Sequence, residues 1–151
     1  MTTLLVGNSR TEDMVGDLAL LTPRQREAAG YGAHRMLWWA REGDVVVLPT
    51  LPDDDYVDYV TGLTGTPRRT LTLLAPAPGR LGAGILSADR LSDQSFLDAL
   101  RQALKDRSVD KILPVYADTS IVALARELAA EEALPGHRFH GQGDDRGVGV
   151  H

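Results

Sequence analysis

The chain has 151 residues, 43% of them hydrophobic and 25% charged, with a formal net charge of -5. That length supports one domain able to bury about 68–70% of its unfolded surface, and the composition argues against both disorder and membrane residence. Arginines interleaved with acids give no basic field for a polyanion, which disfavours nucleic acid, and the lack of cysteine excludes disulfides, a thiolate nucleophile and Cys-based zinc sites.

Residues Met1 to Val6 are apolar but carry no basic leader and run straight into Gly-Asn-Ser-Arg. They read as a first strand over Thr3 to Val6 and not as a signal peptide. No apolar run approaches the roughly 18 residues of a membrane span, so a cytoplasmic protein is expected. Thr22-Pro23-Arg24-Gln25 combines a capping hydroxyl, a proline at the first helical position and a glutamine able to reach back to the cap amide. The helix it starts is predicted to run to about Arg41, burying Ala29, Ala33, Met36, Leu37 and Ala40. Gly30 and Gly32 each weaken it by about 1 kcal/mol relative to alanine unless a close approach requires them.

The second strand spans Asp44 to Leu48, and its unbroken Val45-Val46-Val47-Leu48 fits a central strand buried on both sides. A helix over about Asp53 to Gly62 follows, carrying Tyr56, Val57 and Val60, and then a strand over Thr70 to Ala75. Ala75 to Gly84, with Pro76, Pro78 and three glycines, reads as a long turn. The next helix begins near Ser92 and presents Phe96, Leu97, Leu100 and Leu104. The last strand covers Lys111 to Tyr116. A final helix, capped by Asp118, Thr119 or Ser120, buries Ile121, Val122, Ala125, Leu128 and Ala129 before Pro135 and Gly136 end it. Strands alternating with helices predict a three-layer α/β domain over residues 1–140, with a mostly parallel sheet covered on both faces. Residues 141–151 read as a polar, Gly-rich, disordered tail.

Candidate sites follow from that order. Asn8, Ser9, Arg10 and Glu12 leave the first strand, where open α/β sheets bind ligands, and an arginine there suits a carboxylate. Asp118, Thr119 and Ser120 occupy another strand-to-helix junction and read first as a cap, with anion binding compatible. No G-x-G-x-x-G follows the first strand, so a dinucleotide cradle is missing. His137 and His140 lack a third ligand at metal spacing, and Asp53-Asp54-Asp55 is the acidic first turn of a helix, so no metal site is assigned. No catalytic constellation emerges. On the first helix, Tyr31, His34, Arg35 and Trp38 lie opposite the buried stripe. Such a face packs either on another subunit or domain, or on a neighbouring element of the same chain.

Three strings in order, Gly7-Asn8 with Thr11 to Asp17, Arg35 to Arg41 with Gly43 to Pro49, and Asp58 to Val60 with Leu63 to Gly65, resemble the pre-ATP-grasp domain of bacterial ATP-grasp peptide ligases of the pheganomycin type. The resemblance implies a Rossmann-like sheet that helps form the substrate side of a ligase cleft. It further implies that the complete enzyme activates a carboxylate with ATP and Mg²⁺ and lets an amine displace phosphate. ATP-grasp chemistry uses nucleotide-binding lysines and late acidic magnesium ligands. This chain has only Lys105 and Lys111, so no cofactor is expected in it and the ATP and Mg²⁺ belong to the rest of such an enzyme. The expected function is therefore a detached or truncated substrate-side domain in bacterial secondary metabolism, non-catalytic alone. It would bind a small carboxylate, amino acid or peptide, and pair with itself or an ATP-grasp partner. The alternatives are a small stand-alone enzyme or effector-binding domain using the strand-end pocket, and a structural dimerisation domain.

Overall fold

The structure, a computed structural model, describes residues 1–11 and 16–132; Glu12, His137, His140 and the tail at 141–151 lie outside them. The first strand, β1 (Thr2–Val6), leads through a 3₁₀ turn to helix α1 (Pro23–Ala33) and strand β2 (Val45–Val47). Helix α2 (Asp54–Thr64) and strand β3 (Thr72–Leu74) follow, then short helix α3 (Ala88–Leu91) and helix α4 (Gln94–Leu104). Strand β4 (Val109–Pro114) and helix α5 (Thr119–Glu132) complete the described chain. The four strands are all parallel in the order β3-β2-β1-β4, a Rossmann-like α/β sheet.

Alternation along the inner strands divides the core between the two faces. Leu4, Val6, Val45 and Val47 pack with Phe96, Leu97 and Leu100 of α4 and with Ile121, Leu124 and Leu128 of α5. Leu5, Val46 and Leu48 face the other way, onto Met36, Leu37 and Ala40 and onto Val57 and Val60 of α2. The uninterrupted valine run of β2 is thus buried on both sides, as a central parallel strand requires. No helix among the described residues is long and apolar enough to cross a membrane.

Local signals explain most element boundaries. Thr22 Oγ1 accepts from Gln25 N at 3.2 Å while Thr22 N donates to Gln25 Oε1 at 2.8 Å, the reciprocal cap that starts α1. The helix predicted to reach Arg41 stops as an α-helix at Ala33 and tightens into a 3₁₀ helix over His34–Trp39. Even so, Ala29, Ala33, Met36, Leu37 and Ala40 are all buried. In α5 the buried set differs from the expected one. Val122 is 45% exposed and Leu124 is buried instead, because a helix starting at Thr119 directs Ile121, Leu124 and Leu128 inward at three- and four-residue steps.

The rim at the amino ends of the strands is stitched by polar side chains. Asp44 accepts from Thr3 N at 2.9 Å and from Arg41 N at 2.8 Å. Arg107 donates to Gly43 O at 2.6 Å and to Thr72 Oγ1 at 2.7 Å.

At the opposite rim the connection after β3 is held by a residue that no sequence motif singled out. Arg90, in α3, is 2% exposed. Its Nε donates to Ala77 O at 2.9 Å, and Nη1 donates to Ala83 O at 3.0 Å and Ile85 O at 2.7 Å. Nη2 donates to Pro49 O and Pro76 O, both at 2.6 Å. All the guanidinium donors are used. Burial lowers the pKa, with Asp89 opposing the shift, but an arginine remains charged in proteins. A buried acceptor left without a donor costs about 1–3 kcal/mol. Arg90→Met should therefore lower stability in urea unfolding by at least about 3 kcal/mol, with Arg90→Lys between it and wild type. A loss below about 1 kcal/mol would mean that the carbonyls find other donors.

Candidate functional site

The chain proceeds outward from β1 to β2 to β3 and then returns to place β4 on the other side of β1. The strand order therefore reverses between β1 and β4, where the exits of the two strands diverge and a ligand crevice is expected. Asn8 sits at that point and is fully buried. Its Nδ2 donates to Tyr116 O at 2.6 Å, while its Oδ1 accepts from Val115 N at 2.9 Å and Tyr116 N at 3.2 Å. The side chain predicted to orient a ligand is engaged in tying the two exits together. Ser9 Oγ donates to Ala29 O at 2.8 Å, which fastens the same loop to α1. Arg10 is exposed and lines a basin.

The second predicted group lies apart from Arg10. Asp118 Oδ1 accepts from Ser120 Oγ at 2.6 Å and from Ile121 N at 3.0 Å, the N-cap of α5. Asp118, Thr119 and Ser120 line a small cleft of about 60 Å³ with Thr11, Ser87 and Arg80. The strand-end residues are thus divided between two concavities, with Asn8 as the suture.

Two larger basins open on opposite flanks of α1. One, of about 810 Å³, lies between Arg26, Glu27, Tyr31 and His34 on the helix, the Thr50–Asp53 connection, Tyr56 of α2 and the turn at residues 81–84. The other, of about 700 Å³, lies between Ala28, Gly32 and Met36 of the first helical segment and the exit of β4 at Leu113, Pro114 and Val115. Arg35 lines both. Gly30 is where α1 meets the 81–84 turn: a Cβ there would lie 3.0 Å from Gly84 Cα, and one on Gly84 would strike the Arg26 carbonyl. That close approach is the requirement that justifies a glycine inside this helix.

The aromatic face of the first helix meets α2 within the chain. His34 Nε2 lies 2.9 Å from Thr50 O and 3.0 Å from Thr50 Oγ1. A carbonyl only accepts, so Nε2 carries a proton. Tyr31 approaches His34 edge-on at 6.0 Å. Trp38 Nε1 donates to Tyr56 OH at 3.2 Å, and its ring meets Tyr59 edge-on at 6.3 Å. Trp38 nonetheless stays 42% exposed. The acidic turn is similarly engaged, since Arg68 pairs with Asp54 at 2.5 Å and Asp58 at 2.6 Å; both partners raise the Arg68 pKa.

Whether these residues fit magnesium–nucleotide can be tested directly. Among the described residues no three His, Cys, Asp or Glu side chains converge as a metal site. Lys105 and Lys111, the chain's only lysines, follow α4 and open β4, at the amino rim and away from both basins. The described residues do not fit that group. Sequence reading missed Thr50, Gly84 and Arg90, which lie in no motif, and gave Trp39 no site role although it falls within the Arg35 to Arg41 string. Asn8→Ala leaves the Tyr116 N–H and carbonyl without the Asn8 side chain that partners both, whereas Val115 N keeps Val6 O at 3.0 Å. It should lower stability by about 2 kcal/mol in a thermal or urea melt, and an unchanged melt would show that Asn8 does not tie the exits.

A family model described as the pre-ATP-grasp domain matches residues 33–130. That stretch runs from the end of α1 through β2, β3 and β4 into α5. β1, which precedes it, completes the sheet by pairing with both β2 and β4. No curated protein compared with the sequence matches it. With more than half of its length matched and a parallel α/β sheet of the corresponding kind, the chain belongs to the pre-ATP-grasp domain family.

Proposed function

We propose that this chain is the substrate-side module of an ATP-dependent carboxylate–amine ligase, of the peptide-forming kind in bacterial secondary metabolism, and that it is non-catalytic on its own. Family membership ties it to ATP-grasp ligases. The observation that carries the reading further is the pair of basins at the carboxyl rim, lined by Arg10, Arg26 and Arg35, with no acidic cluster suited to a metal among the described residues.

The work of such a module is to bind and orient. Holding a carboxylate and an amine in fixed relation removes translational and rotational freedom before the chemical step. Asn8 and Arg90 serve that end by fixing the loops around the basins, so little ordering remains for binding to accomplish. ATP and Mg²⁺ are supplied by an ATP-grasp module, and the chain's own ligand is a small carboxylate, amino acid or short peptide.

Calorimetry of the purified chain against Mg-ATP, and separately against a panel of amino acids and short peptides, tests this alongside a phosphate-release assay. Substrate binding without nucleotide binding or turnover is expected. Phosphate release by the chain alone would overturn the reading and make it an enzyme by itself. Arg10→Ala should weaken carboxylate binding by about 1.5–3 kcal/mol, the range for hydrogen bonds to charged groups, with little change in melting temperature. Unchanged affinity would remove Arg10 from the site.

A further inference from the structure

The basin between the first helix and the exit of β4 differs chemically from its neighbour across α1. Its surface is formed by Ala28, Ala29, Gly32, Met36, Leu113 and Val115, with Trp39 standing 68% exposed at its margin. Ser9, the neutral hydroxyl there, is already bonded to Ala29 O. The charges are two arginines, Arg10 and Arg35. Neither has an ion-pair or hydrogen-bond partner among the described residues. In the other basin Glu27 and Asp53 accompany Arg26 and Arg35, so of the two, among the described residues, the β4-side basin alone combines unpaired positive charge with an apolar body.

Gly32 adds an independent observation. It lies inside α1, where glycine costs about 1 kcal/mol relative to alanine. Unlike Gly30 it has no packing reason, because a Cβ built on it would meet nothing within 4 Å. Its effect is to leave the basin floor bare where any larger side chain would project into the space.

We propose that this basin binds a carboxylate carried on an apolar body, an aryl or medium alkyl chain. Arg10 and Arg35 hold the carboxylate and Trp39 covers the body. The arginines supply charge-assisted hydrogen bonds to the anion, the apolar lining supplies burial, and an amine is disfavoured because it meets two cations. The assignment rests on the substrate-side reading and names the ligand class of one of its two basins.

The test is calorimetry with 4-phenylbutanoate, 4-phenylbutanamide and acetate as probes on wild type, Gly32→Leu and the double variant Arg10→Ala/Arg35→Ala, with urea unfolding of each. Wild type should bind the phenyl acid at least about ten-fold more tightly than its amide or acetate, in line with the strength of hydrogen bonds to charged groups. Gly32→Leu should be as stable as wild type or more so, yet lose at least about ten-fold in affinity for the acid. The arginine variant, altered only at exposed positions, should lose a similar factor and keeps the test intact if the leucine does not fold. Acid and amide binding alike would overturn the carboxylate assignment. Acid affinity unchanged in Gly32→Leu would place the probe elsewhere and overturn this basin, while leaving the substrate-side reading in place. Binding of amino acids or peptides without the phenyl acid overturns this inference alone. No binding by any of them overturns both.

Discussion

A single guanidinium, that of Arg90, holds together the side of the molecule where the basins lie. The chain leaves β2 at Pro49, leaves β3 at Pro76 and Ala77, and turns back through Ala83 and Ile85, and Arg90 draws a carbonyl from each of these segments. Irregular backbone buried at a sheet end has no ladder to satisfy its carbonyls. One side chain with a planar fork of donors meets the need at a single point. The cost is a desolvated cation, which carbonyl dipoles compensate through hydrogen bonds while Asp89 adds a coulombic contribution. From that anchor the 81–84 turn reaches α1, where Gly84 lies against the Arg26 carbonyl, and one wall of the larger basin is set.

The two rims of the sheet use their polar residues differently. At the amino rim, Asp44 and Arg107 spend their side chains on backbone groups of neighbouring segments. At the carboxyl rim, Asn8 and Arg90 do the same work from within, while Arg10 and Arg35 are left at the surface of concavities. Structural polarity is buried and the remaining charge faces solvent-accessible space. This distribution supports placing ligand binding at the carboxyl rim, in agreement with the general rule for open parallel sheets.

Much of the fold was legible because local chemistry and global architecture agree. The reciprocal cap of Thr22 and Gln25, the valine run of β2 and the Phe96-Leu97-Leu100 stripe of α4 each report their surroundings through side-chain type alone. Where the reading failed, the deciding contact was distant in sequence. Arg90 bonds Pro49 across 41 positions, and nothing in the Asp-Arg-Leu of α3 announces it. The cap at Asp118 was read correctly from its local pattern, yet the division of the residues after β1 between suture and basin depends on the register of β1 with β4, which no local pattern encodes. The early passage of the first helix into 3₁₀ geometry is of the same kind, since its apolar stripe satisfies either winding closely enough to remain buried.

Arg35 sits where α1 divides the two basins and lines both of them. Were both basins to take ligands as proposed, a charge shared in this way would link them: an anion that recruits Arg35 on one flank would deprive the other of it. Linkage is reciprocal, so each ligand would report on the other's occupancy. A pair of anions would antagonise one another, whereas an anion on one flank would ease entry of an amine on the other by neutralising the cation it would otherwise meet. The helix that separates the two compartments would thereby also couple them.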